Sequence, residues 1–178
     1  MSPDEREESK RAAQRPAADL VVRAEVLHLL RGGNAHMSFE DAVRSFPLDQ
    51  INTRFPQGTY TPWHLLEHLR LTQWDILDFI RNPAYHDREW PREYWPPQDQ
   101  QATEQDWQQT ISTFLADGRT LEALAADSDL DLYARIPHGT GQTILRELLL
   151  VADHNAYHIG EFAIARQMMG TWDKDHHE

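Results

Sequence analysis

Two histidines four residues apart are the residues of this sequence best suited to chemistry. His154 and His158 lie in the segment DHNAYHIGEFAIARQMM. On an α-helix, side chains at this spacing project from one face about one turn apart, so both imidazoles can contact the same metal ion. Glu161 follows one turn later on the same side. The spacing predicts either a metal site or a pair of hydrogen-bonded core histidines.

The surroundings of the pair indicate that it points towards a core. At about 100° per residue, the helix face that carries the histidines is otherwise apolar. Its apolar members are Leu150, Val151, Phe162, Ala165, Met168 and Met169. A neutral imidazole buried without a polar partner costs about 1 to 3 kcal/mol. We therefore expect a metal, a carboxylate or a backbone carbonyl to satisfy each ring.

Composition narrows the class of partner. The chain has 178 residues, which fits one domain. Its 29 acidic and 17 basic residues give a formal net charge of −12, which argues against a nucleic-acid backbone or an anionic membrane as the main partner. There is no cysteine, so a metal would need nitrogen and oxygen ligands, and any nucleophilic thiol would come from another molecule.

The first residues of the sequence and the hydropathy of the whole chain predict where in the cell the protein is found. The first twenty residues are highly charged and lack a continuous apolar segment, which argues against a secretory signal peptide. No stretch approaches the roughly 18 apolar residues needed to span a membrane. We expect a soluble, cytoplasmic protein that binds neither membranes nor nucleic acids.

Four long amphipathic segments are predicted to position the histidines. Thr61 and Thr143 can each cap the first turn of a helix, and glycine follows the first and last segments. No alternation typical of strands competes with the helical period. The sequence predicts an all-α four-helix bundle with helices at about 16–31, 61–82, 103–127 and 143–170.

The remaining segments are shorter or irregular. A short extra helix is predicted near Ser38, and residues 83–97 form a loop rich in proline and aromatics. Trp90, Tyr94 and Trp95 in that loop are expected either to cover one end of the core or to line the mouth of a pocket. In the first helix, Leu20, Ala24 and Leu27 are predicted to be central to the buried face.

These assignments give three parts along the chain. Residues 1–15 are polar and predicted to be a disordered or frayed arm, and residues 173–178 a polar tail. Residues 16–172 are predicted to form the single bundle domain.

A third histidine comes from the second long helix. His68 shares its apolar stripe, so in a bundle it can meet His154 and His158 in the core. Three protein ligands leave a coordination position open, which suits activation of water, a substrate thiol or a carbonyl. His64 lies four residues before His68, so a closed site with four imidazoles is the alternative. We favour His68 alone because it lies a full turn deeper.

Three motifs in fixed order carry a resemblance to a known family. They are the helix opening TPWHLLEHL, the loop WPREYWP and the last-helix segment DHNAYHIGE. Together they resemble the DinB-like (YfiT-type) metal-binding four-helix bundles over about residues 20–170. The resemblance implies an up-down-down-up bundle that binds one divalent ion, often zinc or nickel, through His68, His154 and His158.

The same resemblance suggests an activity. Relatives include metal-dependent hydrolases and thiol S-transferases or isomerases that use bacillithiol, mycothiol or glutathione, and many are dimers. It implies a small-molecule substrate, with a low-molecular-weight thiol as one candidate, and a possible homodimer. The alternatives are a non-catalytic, stress-associated metal-binding bundle and a protein whose histidines only fill the core.

Glu161 departs from the family pattern, because the last motif commonly ends in Gly-Gln. Its carboxylate could be a fourth ligand, a catalytic base acting on metal-bound water, or an acceptor that fixes the tautomer of a histidine. It could also be a solvated side chain just beyond the site. The role of acceptor, or a plain structural role, is the interpretation we favour.

Overall fold

The computed structural model describes the backbone of residues 3–172 and the side chains of residues 17–172. This part of the chain forms five α-helices, a 3₁₀ turn and no strand, apart from an isolated bridge between Arg135 and Thr143. The helices are α1 (Pro3–Arg31), α2 (Phe39–Val43), α3 (Pro62–Arg81), α4 (Glu104–Ala126) and α5 (Ile144–Met169), with the 3₁₀ turn at Leu48–Gln50. The prediction of an all-α fold with a short extra helix is confirmed.

Capping residues set the ends of the long helices. Thr61, Thr103 and Thr143 each precede a helix, and each hydroxyl accepts an N–H from its first turn. Gly170 ends α5 in the left-handed conformation, with φ 66°. The predicted bounds of α3, α4 and α5 agree with the structure because these caps are readable in the sequence.

The four long helices pack in a ring. α1 and α3 each pack against both α4 and α5, and the short α2 packs against α5. The most deeply buried side chains of the interior include Leu65, Leu66, Leu69, Leu121, Leu148 and Phe162. Because α3 and α5 are neighbours, a histidine from each can reach the same point. The up-down-down-up direction of the helices stays a prediction.

The buried face of α1 differs from the prediction. Leu20 is 64% exposed and Ala24 is also exposed, so the expected centre of the face was wrong, although Leu27 is partly buried. The buried residues are instead Val26 and Arg23, which are 2% and 6% exposed. The helix is therefore rotated relative to the face that hydrophobicity alone predicts.

The contacts of Arg23 explain this rotation. Its guanidinium donates hydrogen bonds to backbone carbonyls at and beyond the end of α4, those of Ala125, Asp127 and Leu130, at 2.6 to 3.1 Å. The last carbonyls of a helix have no hydrogen-bond partner within the helix, and burying them unpaired costs free energy. A buried guanidinium that donates to them offsets that cost. Asp19 accepts from the same guanidinium at 2.6 Å.

The first helix extends further towards the start of the chain than the sequence predicts. α1 begins at Pro3, earlier than the predicted start near Pro16. The side chains of residues 1–16, and all of residues 173–178, lie outside the described residues, so the frayed arm, the polar tail and the domain bounds stay predictions.

None of the helices in residues 3–172 combines the length and the apolar character needed to cross a membrane.

Candidate metal centre

The three predicted histidines lie together between α3 and α5. His68, His154 and His158 each offer a ring nitrogen, and these nitrogens all lie within 4.8 Å of one another. Nε2 of His68 is 3.2 Å from Nε2 of His154. The ring centroid of His158 is 4.8 Å from that of His68 and 4.5 Å from that of His154.

Burial differs among the three rings. His68 is only 2% exposed, whereas His154 and His158 are half-buried. Of the apolar residues predicted on their face, Val151, Phe162 and Ala165 are buried, but Met168 is 59% exposed. The cluster therefore lies at the edge of the core, not at its centre, because α5 presents only part of that face to the other helices.

Hydrogen bonds fix the tautomer of two of the rings. Nδ1 of His68 donates to the backbone carbonyl of Tyr94 at 2.8 Å. Nδ1 of His158 donates to Oε2 of Glu161 at 2.6 Å. With a carbonyl and a carboxylate as acceptors, the proton lies on Nδ1, and Nε2 keeps the lone pair that can bind a metal.

The third ring has an unsatisfied nitrogen. Nδ1 of His154 is buried and has no hydrogen-bond partner among the described residues, and the same holds for Oδ1 of Asn155. The amide nitrogen of Asn155 donates to Gln73 at 2.9 Å, and Gln73 donates to the carbonyl of Phe114 at 2.7 Å. If His154 binds a metal through Nε2, the ring proton lies on Nδ1 and needs an acceptor. Oδ1 of the next residue, Asn155, is an acceptor without a partner among the described residues.

Electrostatics keep the rings neutral. Burial lowers the pKa of His68, while its hydrogen bond to the carbonyl of Tyr94 acts in the opposite direction. Burial, and then the neighbouring His68, lowers the pKa of His154 to about 4. Burial, and then the neighbouring His154 and His68, lowers the pKa of His158 to about 3. Neutral imidazole is the form that binds metals.

The donor set fits a divalent cation. Two nitrogens that each lie about 2.0 to 2.1 Å from a tetrahedral zinc ion are about 3.3 Å apart, and the Nε2 atoms of His68 and His154 are 3.2 Å apart. Two lone pairs facing each other at this distance repel unless a proton or a cation lies between them. Imidazole is a ligand for zinc and for nickel, so the geometry does not choose between these metals.

His64 does not belong to the cluster. Its Nδ1 is 2.7 Å from the hydroxyl of Thr61, and its Nε2 donates to the carbonyl of Pro97 at 3.0 Å. His64 thus caps its own helix and contacts the aromatic loop. The alternative with four converging imidazoles is not what the structure shows.

Both carboxylate oxygens of Glu161 contact protein groups. Oε2 accepts from His158, and Oε1 accepts a hydrogen bond from the hydroxyl of Tyr60. Burial raises the pKa of this carboxyl group. These contacts are those of an acceptor that orients His158, which is the role favoured from the sequence.

Aromatic side chains cover the cluster. The indole of Trp95 stacks on His68, with centroids 3.9 Å apart and planes 6° apart, and it packs against the main core cluster. Tyr60 lies beside it, with centroids 5.2 Å apart. Trp90 is 67% exposed, so the loop does not bury all of its rings.

A cleft of about 610 Å³ has Tyr60 and Trp95, which lie beside the cluster, in its wall. This volume is within the usual range of small-molecule sites. Its lining is Thr59, Tyr60, His64, Pro91, Arg92, Trp95, Pro96, Pro97 and Gln98. Of the two roles expected for the loop aromatics, Trp95 has both, because it covers the core and lines the cleft.

Comparison with protein families decides what kind of protein this is. The model of the DinB superfamily matches residues 33–162, which include His68, His154, His158 and Glu161. The chain belongs to the DinB superfamily. No curated protein and no solved structure matches it.

In this DinB superfamily chain, sequence reasoning missed the contacts that Tyr60, Tyr94 and Asp75 make around the histidines. Tyr60 contacts Glu161, and Tyr94 contacts both His68 and the buried carboxylate of Asp75. The one signal in the sequence was the position of Tyr94 within the motif WPREYWP. Asp75 gave no signal, because its partners lie in a loop without a regular period.

Proposed function

We propose that this DinB superfamily chain binds one divalent cation, zinc or nickel, through His68, His154 and His158, and that it is a metal-dependent hydrolase or thiol-dependent S-transferase. The observation that carries the proposal is the convergence of three neutral imidazoles within 4.8 Å. A divalent cation held there would lower the pKa of a bound water or thiol and so supply a nucleophile at neutral pH.

The protein's own groups have distinct roles in this proposal. The Tyr94 carbonyl and the Glu161 carboxylate hold the Nδ1 protons of His68 and His158, so each ring presents Nε2. Trp95 lies flat against His68 and keeps water from that face of the ring. Both oxygens of Glu161 accept hydrogen bonds, so we assign it a positioning role and not that of a catalytic base, which was one of the alternatives considered from the sequence.

We place the substrate in the cleft of about 610 Å³. Its walls at Tyr60, Trp95 and the prolines suit an apolar group. Since the chain has no cysteine, a thiol reaction would use a low-molecular-weight thiol from solution.

One observation favours the non-catalytic alternative. His68 is 2% exposed beneath Trp95, and a shielded ligand suits a protein that only stores or senses a metal. The two functions differ in whether a reactant can reach the cation.

A turnover assay separates them. Metal-loaded protein is incubated with an electrophilic aryl halide and, in turn, bacillithiol, mycothiol or glutathione; hydrolysis of activated esters is measured in parallel. We expect turnover in at least one assay, lost in His68→Ala and kept in His138→Ala, which removes an exposed histidine outside the cluster. Equal rates in the parent and His68→Ala, with one ion still bound to the parent, would favour storage or sensing.

The role of Glu161 is tested by two substitutions. Glu161→Ala removes the acceptor of the His158 proton, and we expect metal affinity to fall about 10- to 100-fold while one ion still binds at saturation. Glu161→Gln keeps an acceptor oxygen, so its loss of affinity should be smaller. Affinity is measured by competition with a chromogenic chelator. Complete loss of stoichiometric binding in Glu161→Ala would instead identify a fourth ligand.

A further inference from the structure

A single loop residue touches α3 at two points. His68 and Asp75 lie seven residues apart on α3, so they share a face about two turns apart. The backbone carbonyl of Tyr94 accepts from Nδ1 of His68 at 2.8 Å, and its hydroxyl donates to Oδ2 of Asp75 at 2.7 Å. Tyr94 therefore bridges two turns of α3, with its backbone carbonyl at His68 and its hydroxyl at Asp75.

Asp75 anchors more of the same loop. It is 6% exposed, and Tyr85 donates a hydrogen bond to its Oδ1 at 3.2 Å, while Nε of Arg88 lies 3.5 Å from that oxygen. Burial raises the pKa of Asp75, and the bonds from Tyr94 and Tyr85 and the charge of Arg88 act in the opposite direction. A buried carboxyl group is costly without such partners, so it favours the loop conformation that supplies them.

We propose that Asp75 is a positioning residue of the metal centre, which acts through Tyr94 to hold the imidazole of His68 in the orientation that presents Nε2 to His154 and His158. The inference rests on the proposed metal site. No other role described above requires a buried carboxyl group at this position.

The alternative acceptor for His68 is weak. The hydroxyl of Thr72, on the same helix, lies 3.5 Å from Nδ1 of His68. A bond of that length contributes little. If the hydrogen bond between Tyr94 and Asp75 is removed, the Tyr94 carbonyl is held less firmly and His68 loses its good acceptor. Trp95, the next residue of the loop, then also stacks less firmly on His68. We expect weaker metal binding but not its loss, because all three imidazoles remain.

Two tyrosine substitutions provide a matched test. Tyr94→Phe removes the hydroxyl that reaches Asp75 but keeps the ring and the backbone carbonyl. Tyr85→Phe removes a hydroxyl from the same carboxylate, at a residue whose ring packs against Phe79 and His138 and not against the three histidines. If the network is only structural, both variants lower the melting temperature and neither changes metal affinity.

We expect Tyr94→Phe to weaken zinc or nickel binding by about 10-fold, measured by chelator competition, and Tyr85→Phe to bind with close to parental affinity. The visible absorption of the cobalt-substituted protein should change in Tyr94→Phe only. Equal affinities in Tyr94→Phe and the parent would overturn the inference while leaving the metal site intact. Absence of metal binding in the parent would refute the proposed function itself.

A measurement on the metal-free protein tests the positioning role even if Tyr94→Phe folds poorly. The imidazole nitrogen resonances of His68, observed by NMR in the parent, report the Nδ1–H tautomer. We expect Asp75→Asn, which keeps an acceptor for the Tyr94 hydroxyl, to retain that tautomer, and Asp75→Ala to give a mixture of tautomers. An unchanged tautomer in Asp75→Ala would contradict the positioning role.

Discussion

Replacing His158 with alanine is expected to abolish stoichiometric metal binding. The ring of His158 is close to both other rings, at centroid distances of 4.8 and 4.5 Å, so its removal leaves two nitrogens where three converged. It also leaves Oε2 of Glu161 without its donor. Two neutral imidazoles hold a zinc ion far less tightly than three, because water must fill the lost position.

The measurement is elemental analysis after loading with zinc and dialysis against a weak chelator. We expect one ion per chain in the parent and none in His158→Ala. His138→Ala is the control, since it removes an exposed imidazole that hydrogen-bonds the carbonyl of Phe79 and lies outside the cluster. Circular dichroism verifies that both variants are folded. One tight ion per chain in His158→Ala would show that the ligand assignment is wrong.

Replacing Arg166 with methionine is expected to cause a large loss of stability. The side chain is fully buried, at 0% exposed, and its guanidinium donates to the carbonyls of Ala42, Arg44 and Thr171 at 2.7 to 2.9 Å. These contacts connect α5 to α2 and to the segment after α5. The guanidinium also lies 3.8 Å from the centroid of Trp172.

Methionine fills part of the volume but removes the donor from three carbonyls, two of them in buried surroundings. We expect the free energy of unfolding, measured by urea denaturation, to fall by about 3 to 5 kcal/mol. Arg44→Met is the control, because that side chain is 68% exposed and forms an ion pair with Asp41 only three residues away. Its effect should be under about 1 kcal/mol. A similar small effect in Arg166→Met would contradict this account of the α2–α5 contact.

The sequence predicted the elements whose signals are local. Thr61, Thr143 and Gly170 marked helix ends that the structure confirms. The four-residue spacing of His154 and His158, the position of His68 in its apolar stripe and the family resemblance together led to the prediction that these three rings converge. The helix ends and the His154–His158 pair depend on residues within about one turn of each other, where helix geometry fixes the relative positions, whereas the approach of His68 depended on the predicted bundle.

The sequence did not predict features that depend on partners far away in the chain. Arg23 was not among the residues predicted on the buried face of α1, yet it is buried because carbonyls about a hundred residues later need donors. Asp75 is buried because Tyr85 and Tyr94 reach it from an irregular loop. For Glu161, the spacing from His158 was readable, but the choice among its roles required the position of Tyr60.

X-ray absorption spectroscopy of the zinc- or nickel-loaded protein measures the number and type of atoms bound to the ion. We predict three imidazole nitrogens per metal, at about 2.0 to 2.1 Å for zinc, with any remaining ligand a light atom from solvent. In His68→Ala, which removes the only one of these ligands on α3, the number of imidazoles should fall to two or the ion should be lost. A parent protein whose ion binds fewer than three imidazoles would contradict the proposal that α3 and α5 share one metal.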